Sequence, residues 1–194
     1  MVIRCAMSVP RAAPALHAPA TATLEPWQPE GMAWVRPGPG ASCRLVPAVT
    51  GSRMSRGPRW EHFHHVADIG VRGIGATKAE AFVQAALGLT AVITDPAGVR
   101  RESRVDLTAE GEDDDLLLLG WLDAIIYAMA TRRMVFGAFD IAFTGGGVEG
   151  HAWGEAVDVQ RHQPVVEVKA ATFAELCVRQ LPDGQWLAQC VVDV

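Results

Sequence analysis

From Trp60 to Arg133 the hydrophobic residues alternate between a period of two and a helical period, and beyond Met134 they stay near two. That succession narrows the folds open to this chain more than any single motif does. Ile69 and Val71 set against Arg72 read as a half-buried strand that ends at Gly73 to Gly75. In "TKAEAFVQAALGLTAVI", residues Ala81, Phe82, Ala85, Leu89 and Val92 fall on one helical face, and "TDPAG" stops the helix. Thr77 and Glu80 have the spacing of a capping box, in which the hydroxyl accepts from an orphan amide while the glutamate reaches back. "SRVDLTAEG" alternates Val105 and Leu107 with polar residues, as a short strand does. "EDDDLLLLGWLDAIIYAMATRRM" is a second helix, with acids at its start and Arg132 and Arg133 at its end, matching both poles of the helix dipole. "VFGAFDIAFT", "GVEGHAWGEAV", "PVVEVKAATFAELCVRQL" and "QWLAQCVVDV" read as strands, with "GGG" and "PDG" as turn signals. The order predicts an α+β fold: a single compact domain over residues 59–194, its largely antiparallel sheet carrying two helices packed on one face.

Composition divides the chain near Arg59. Nine of the twelve prolines lie before it, with six arginines against only Glu25 and Glu30. Residues 1–58 show no sustained period and read as a disordered Pro/Ala/Gly-rich tail. They could equally be a misannotated start, since Met54 opens "MSRGPRWEHF" just before the regular part; on either reading they are expected to be dispensable. Eleven basic and twenty acidic residues remain, so the body repels phosphates and any link to RNA is expected to run through a partner. No run approaches the ~20 apolar residues of a membrane span. Arg4, Pro10, Arg11 and Pro14 break the apolar core that a signal peptide needs, and the four cysteines form neither a CxxC pair nor a disulfide framework, so a reducing cytoplasm is expected. Cys177 and Cys190 would face each other if the last hairpin turned on Asp183 and Gly184.

"FHHVADIG" raises the question of chemistry, because Asp68 follows two histidines and runs into a strand. At the other end, "VVDV" offers the Asp193 carboxylate beside the α-carboxylate of Val194. If the first and last strands are neighbours, the three carboxylates make a hard-oxygen set suited to Ca²⁺, Mg²⁺ or Mn²⁺; if not, they are a turn residue and an exposed end. His62, His64 and His65 pose zinc as a weaker alternative, without HExxH spacing. The three aspartates at 113–115 resemble a metal site too, but the helix dipole explains them more simply. Glu167 and Lys169, two apart in an expected strand, share a face opposite Val166, Val168 and Ala170; the lysine could be a salt-bridge partner, a snorkelling edge residue or a functional cation, and a salt bridge is the simplest reading. Glu155, Asp158 and His162 lie in a turn-like stretch whose pattern assigns no role. "GIGATKAE" lacks both the dinucleotide glycine spacing and a P-loop lysine.

Taken together, "HVADIG", "WGEAVDVQRH", "VEVKAATF" and the closing "VVDV" occur in an order that resembles the archease family, accessory proteins of the RtcB-type RNA ligase, over roughly Trp60 to Val194. The resemblance implies a metal site of Asp68, Asp193 and Val194, with Ca²⁺ the favoured ion and Mg²⁺ or Mn²⁺ the alternatives. It places ligase activation on Asp68 and Lys169 and puts His65 and Glu167 behind the ligands. It implies a protein with no catalytic residue of its own that promotes guanylylation and multiple turnover of the ligase in tRNA splicing or RNA repair, meeting RNA only through that partner. Phe173 and Ala174 stand where the family commonly has Tyr and His, and Val66 where it usually has Thr; the Val66 departure removes a hydroxyl but leaves His65 and Asp68 in place, which puts in doubt fine tuning more than metal binding. The competing class is a stand-alone divalent-metal hydrolase built on Asp68 and the nearby histidines.

Overall fold

The computed structural model describes residues 57–66 and 68–194, so the expectations for the N-terminal tail lie outside the described residues. Seven strands and two long helices follow in the order β1 (Arg59–His64), β2 (Ile69–Gly75), α1 (Lys78–Ile93), β3 (Ser103–Glu110), α2 (Asp114–Arg132), β4 (Met134–Phe143), β5 (Gly147–Ala156), β6 (Ala170–Gln180) and β7 (Trp186–Asp193). A 3-10 turn at Pro96–Gly98 and a one-turn helix α3 at Val159–His162 fill two of the connections. The expected α+β class holds, and every strand pair is antiparallel. The strands form two sheets, however, ordered β1-β2-β7-β6 and β3-β5-β4. A period of two marks a strand without naming its partner, so a sequence reading could not separate the sheets.

The helices are also shared rather than confined to one sheet. Helix α1 packs on β1, β2 and β7 and reaches β4, while α2 packs on β3 and β6 and touches β4, β5 and β7. The face predicted for α1, including Phe82, Ala85 and Leu89, is fully buried, and so is Trp121 of α2. Each large apolar side chain removed from water there contributes roughly 1.5–3 kcal/mol. A Cβ on Gly73 would strike the backbone of Ala81 and Ala85, so only glycine lets α1 lie this close to β2.

Both helix starts use the chemistry their sequences offer. The Thr77 side chain accepts from the Glu80 amide, while the Glu80 carboxylate accepts from the Ala76 amide at 2.7 Å. Asp113 caps α2 by accepting from the Leu116 amide. Asp114 meets Lys78 at 2.7 Å, and Asp115 accepts from the Val178 amide on β6. The three aspartates are thus occupied by a cap, an ion pair and a strand edge.

The last hairpin corrects the cysteine expectation. Gln180 pairs with Trp186, so the turn is longer than a two-residue one and Cys177 stands opposite Gln189 rather than Cys190. One residue of register puts the two cysteines on opposite faces of the sheet. Cys190 lies in the helix-facing core, where burial pushes its thiol up. Among the described residues no helix is long and apolar enough to cross a membrane.

Candidate functional site

The ends of three strands bring the separated motifs together. Ile69 of β2 pairs with Val192 of β7, so Asp68, one residue before, and Asp193, one residue after, flank the same register position. On the other side of β7, Ala170 of β6 pairs with Asp193, and the Lys169 amide donates to the Asp193 carbonyl at 2.9 Å. The adjacency that sequence spacing left open is therefore present: Asp68, Lys169, Asp193 and Val194 lie at one end of the four-stranded sheet.

Lys169 makes a salt bridge, as the simple reading held, and its partners stand at the chain's end instead of at Glu167. Its ammonium donates to a backbone oxygen of Val194 at 2.9 Å and stands 3.8 Å from Asp193 Oδ1. Residues 163–169 precede β6 instead of belonging to it, although Val168 is buried and Glu167 and Lys169 are exposed, so the expected alternation survives without strand pairing. Glu167 lines an open apolar groove of about 420 Å³ with Ile93, Ile126, Met129 and Val168, away from the terminal carboxylate.

Sequence reasoning missed what holds Lys169 in place. On α2, eight residues apart and hence on one helical face, Asp115 and Asp123 accept from the Val178 and Ala171 amides of edge strand β6. Burial pushes both carboxyls up, opposed by those amide bonds. Between them β6 bulges: Thr172 pairs with Val191 and Cys177 with Gln189, leaving Phe173 to Leu176 opposite Cys190 alone. Glu175 in that bulge has φ 51°, a left-handed conformation for a non-glycine residue. The unassigned stretch before Lys169 is pinned as well. The buried Glu155 carboxylate is pushed up by burial, but the Arg100 amide, the Arg161 guanidinium and the His162 ring outweigh this and hold it down at about 2. His162 Nδ1 accepts from the Asp158 amide, so its Nε2 carries the proton and donates to Glu155 at 3.3 Å. The only sequence signal for this cluster was the bunching of Glu155, Asp158, Arg161 and His162.

The three histidines do not assemble. His62 Nε2 donates to the Gly88 carbonyl at 2.8 Å, and His64 is exposed. His65 alone turns toward the site, with Nδ1 4.0 Å from Asp68 Oδ2. Val66, in the family's Thr position, is 91% exposed. Among the described residues no three His, Cys, Asp or Glu side chains already converge as a metal cluster. The residue types present, two aspartates and a terminal carboxylate, are of the kind a hard divalent ion takes; Asp193 and Val194 face the Lys169 ammonium, and a shielded imidazole nitrogen beside Asp68 has no hydrogen-bond partner.

The model of the Archease protein family (MTH1598/TM1083) matches residues 60–194. The chain is similar to protein archease of Pyrococcus furiosus, 39% identical over 140 residues that cover 70% of this chain and 99% of that protein. It is similar to protein archease of Aeropyrum pernix at 35% identity, covering 70% and 96%. The solution structure of Methanobacterium thermoautotrophicum protein 1598 matches with TM-score 0.55 and 30% identity, covering 72% of this chain and 100% of that one. The chain belongs to the archease family, and that membership supports an accessory role in general.

Proposed function

We propose that this chain is an accessory factor that promotes guanylylation and multiple turnover of an RtcB-type RNA ligase, in tRNA splicing or RNA repair, without catalysing ligation itself. The observation that carries the reading is the meeting of Asp68, Asp193, the Val194 terminus and Lys169 at one sheet end. Asp68, Asp193 and the Val194 carboxylate would hold one divalent cation, which when bound supplies concentrated positive charge for phosphate oxygens. Lys169 contributes a second, compact cation on an exposed side chain, where a partner or its nucleotide can reach it. The acidic body repels free RNA and complements a basic, RNA-binding protein, so RNA is met only through the ligase.

The test follows ligase–GMP formation from radiolabelled GTP at limiting metal, with and without the full chain. The protein should raise the rate and ligate nothing alone. Lys169→Ala should fold normally, because the side chain is exposed, yet abolish stimulation. Lys169→Arg separates charge from shape: retained stimulation shows that a cation suffices, and loss shows that a compact ammonium is needed. No stimulation of the ligase from the same organism, across Mn²⁺ and Mg²⁺ concentrations, overturns the reading.

A further inference from the structure

Among the described residues six large hydrophobic side chains are exposed, and three of them, Val157, Val159 and Val165, fall between residues 157 and 165. Val157 and Val159 line the open groove of about 420 Å³, together with Ile126, Met129 and Val168, which are buried. The fold holds these valines outward. The buried Glu155 carboxylate accepts from Arg161 and His162 and so fixes α3, the turn of helix that begins at Val159. The Val157 amide donates to the Arg133 carbonyl at 2.9 Å, and the Val165 amide to the Ile93 carbonyl at 3.1 Å. An apolar groove kept open by buried polar contacts is pre-organised for an occupant, and methionine lets it adapt to that occupant's shape.

Charge describes what fits. Arg133 and Glu167 also line the groove, both are exposed, and neither enters an ion pair among the described residues. An apolar anchor flanked by a basic and an acidic residue satisfies all of these features, and an amphipathic segment of a folded protein supplies one. Position says whose segment it is. Glu167 stands two residues before Lys169, so the groove begins at most about 7 Å of backbone away from that lysine. A stable protein complex buries about 800 Å² on each partner, and exposed charges alone make weak anchors. A protein that engages Lys169 therefore extends over apolar surface as well, and the groove is the apolar surface that adjoins it.

We propose that the groove is where the RNA ligase docks, seating an amphipathic segment between Arg133 and Glu167 while its nucleotide site meets Lys169. The inference rests on the accessory-factor reading above and deepens it, assigning affinity to the groove and activation to the lysine.

The two roles separate when the full chain is titrated into purified ligase from the same organism and ligase–GMP formation is followed. Val159→Asp and Arg133→Glu, both at exposed positions, should each raise the concentration for half-maximal stimulation about tenfold and leave the maximal rate unchanged. Lys169→Ala should remove stimulation at every concentration. Thr108→Asp, exposed on β3, should alter neither quantity. Photocrosslinking from Val159→benzoylphenylalanine in the same mixture identifies the occupant. Capture of the ligase supports the assignment; a covalent dimer of this chain, or a link to its own residues 1–56, without capture of the ligase overturns it. Unchanged half-maximal concentrations in both groove variants, with the parent stimulating, overturn docking there and leave the accessory role standing. A parent that stimulates at no concentration overturns the accessory role, and the crosslink still decides whether the ligase seats in the groove.

Discussion

The start of α2 and the open end of the four-stranded sheet are both rich in carboxylates, and they use them in opposite ways. In the helix, Asp113 caps an amide, Asp114 holds Lys78 over the rings of Phe143 and Trp186, and Asp115 and Asp123 hold the edge of β6. Each of these groups has a structural partner, and Asp115 and Asp123 fix the strand that leads from Lys169. At the sheet end, Asp193 and Val194 share one exposed lysine, and Asp68 stands beside an imidazole nitrogen without a hydrogen bond. Negative charge that the fold leaves incompletely matched is what a cation or a basic partner can use. The lesson is that a run of acids in a sequence is a weaker sign of a site than a few acids that arrive from distant segments without partners.

The sharpest way to break this contrast is to remove a carboxylate from each region and measure divalent-ion binding by calorimetry. Asp68→Ala and Asp193→Ala should each weaken binding at least about tenfold, because each removes a charged oxygen ligand. Their unfolding free energies should stay within about 0.5 kcal/mol of the parent, as both sites are partly exposed. Asp114→Asn should leave ion binding unchanged; a comparable loss there would erase the distinction. A C-terminal extension that converts the Val194 carboxylate to an amide should weaken binding like the aspartate variants.

A smaller effect is expected from the helix cap. Asp113→Ala should cost about 1 kcal/mol in denaturant unfolding, with ion affinity intact.

Two pH experiments sharpen the structural side. Glu155 is depressed to about 2, so its stabilising contribution is present above the ordinary carboxylate range near 4.5 and is lost as pH falls from there through about 2. The stability difference between the parent and Glu155→Gln should therefore shrink over that window, and a difference that stayed flat would mean the Arg161 and His162 contacts add nothing to the folded state. Asp123 is shifted the other way, raised chiefly by burial. Its ionisation costs stability as pH rises through the folded value, a cost absent below the ordinary carboxylate range. Asp123→Asn keeps an acceptor for the Ala171 amide and should be as stable as the parent or slightly more so at neutral pH, with the gap closing on acidification.

Much of the fold could be read from local patterns, because those patterns depend on neighbours a few residues apart. The helical stripe of Phe82, Ala85 and Leu89, the cap at Thr77 and the alternation of β3 depend on local geometry, and each appears where the period placed it. The hairpin at Cys177 and Cys190 failed on a single residue of register, which turn signals do not specify. Glu155 and His162 stayed unassigned because their meaning comes from Arg100, which is far away in the chain.

What the sequence determined by itself was the inventory: which segments have helical or strand periods, an acidic body, and acids placed at Asp68 and at the chain's end next to Val194. Tertiary structure decided which strands became neighbours, dividing them into two sheets and bringing β2, β7 and β6 to a common end. It also decided that Lys169 faces the terminus instead of Glu167, and that one of three histidines points its nitrogen at Asp68. The physical reason is that side-chain period is a property of a single strand, whereas pairing and register are set by burial between segments more than a hundred residues apart.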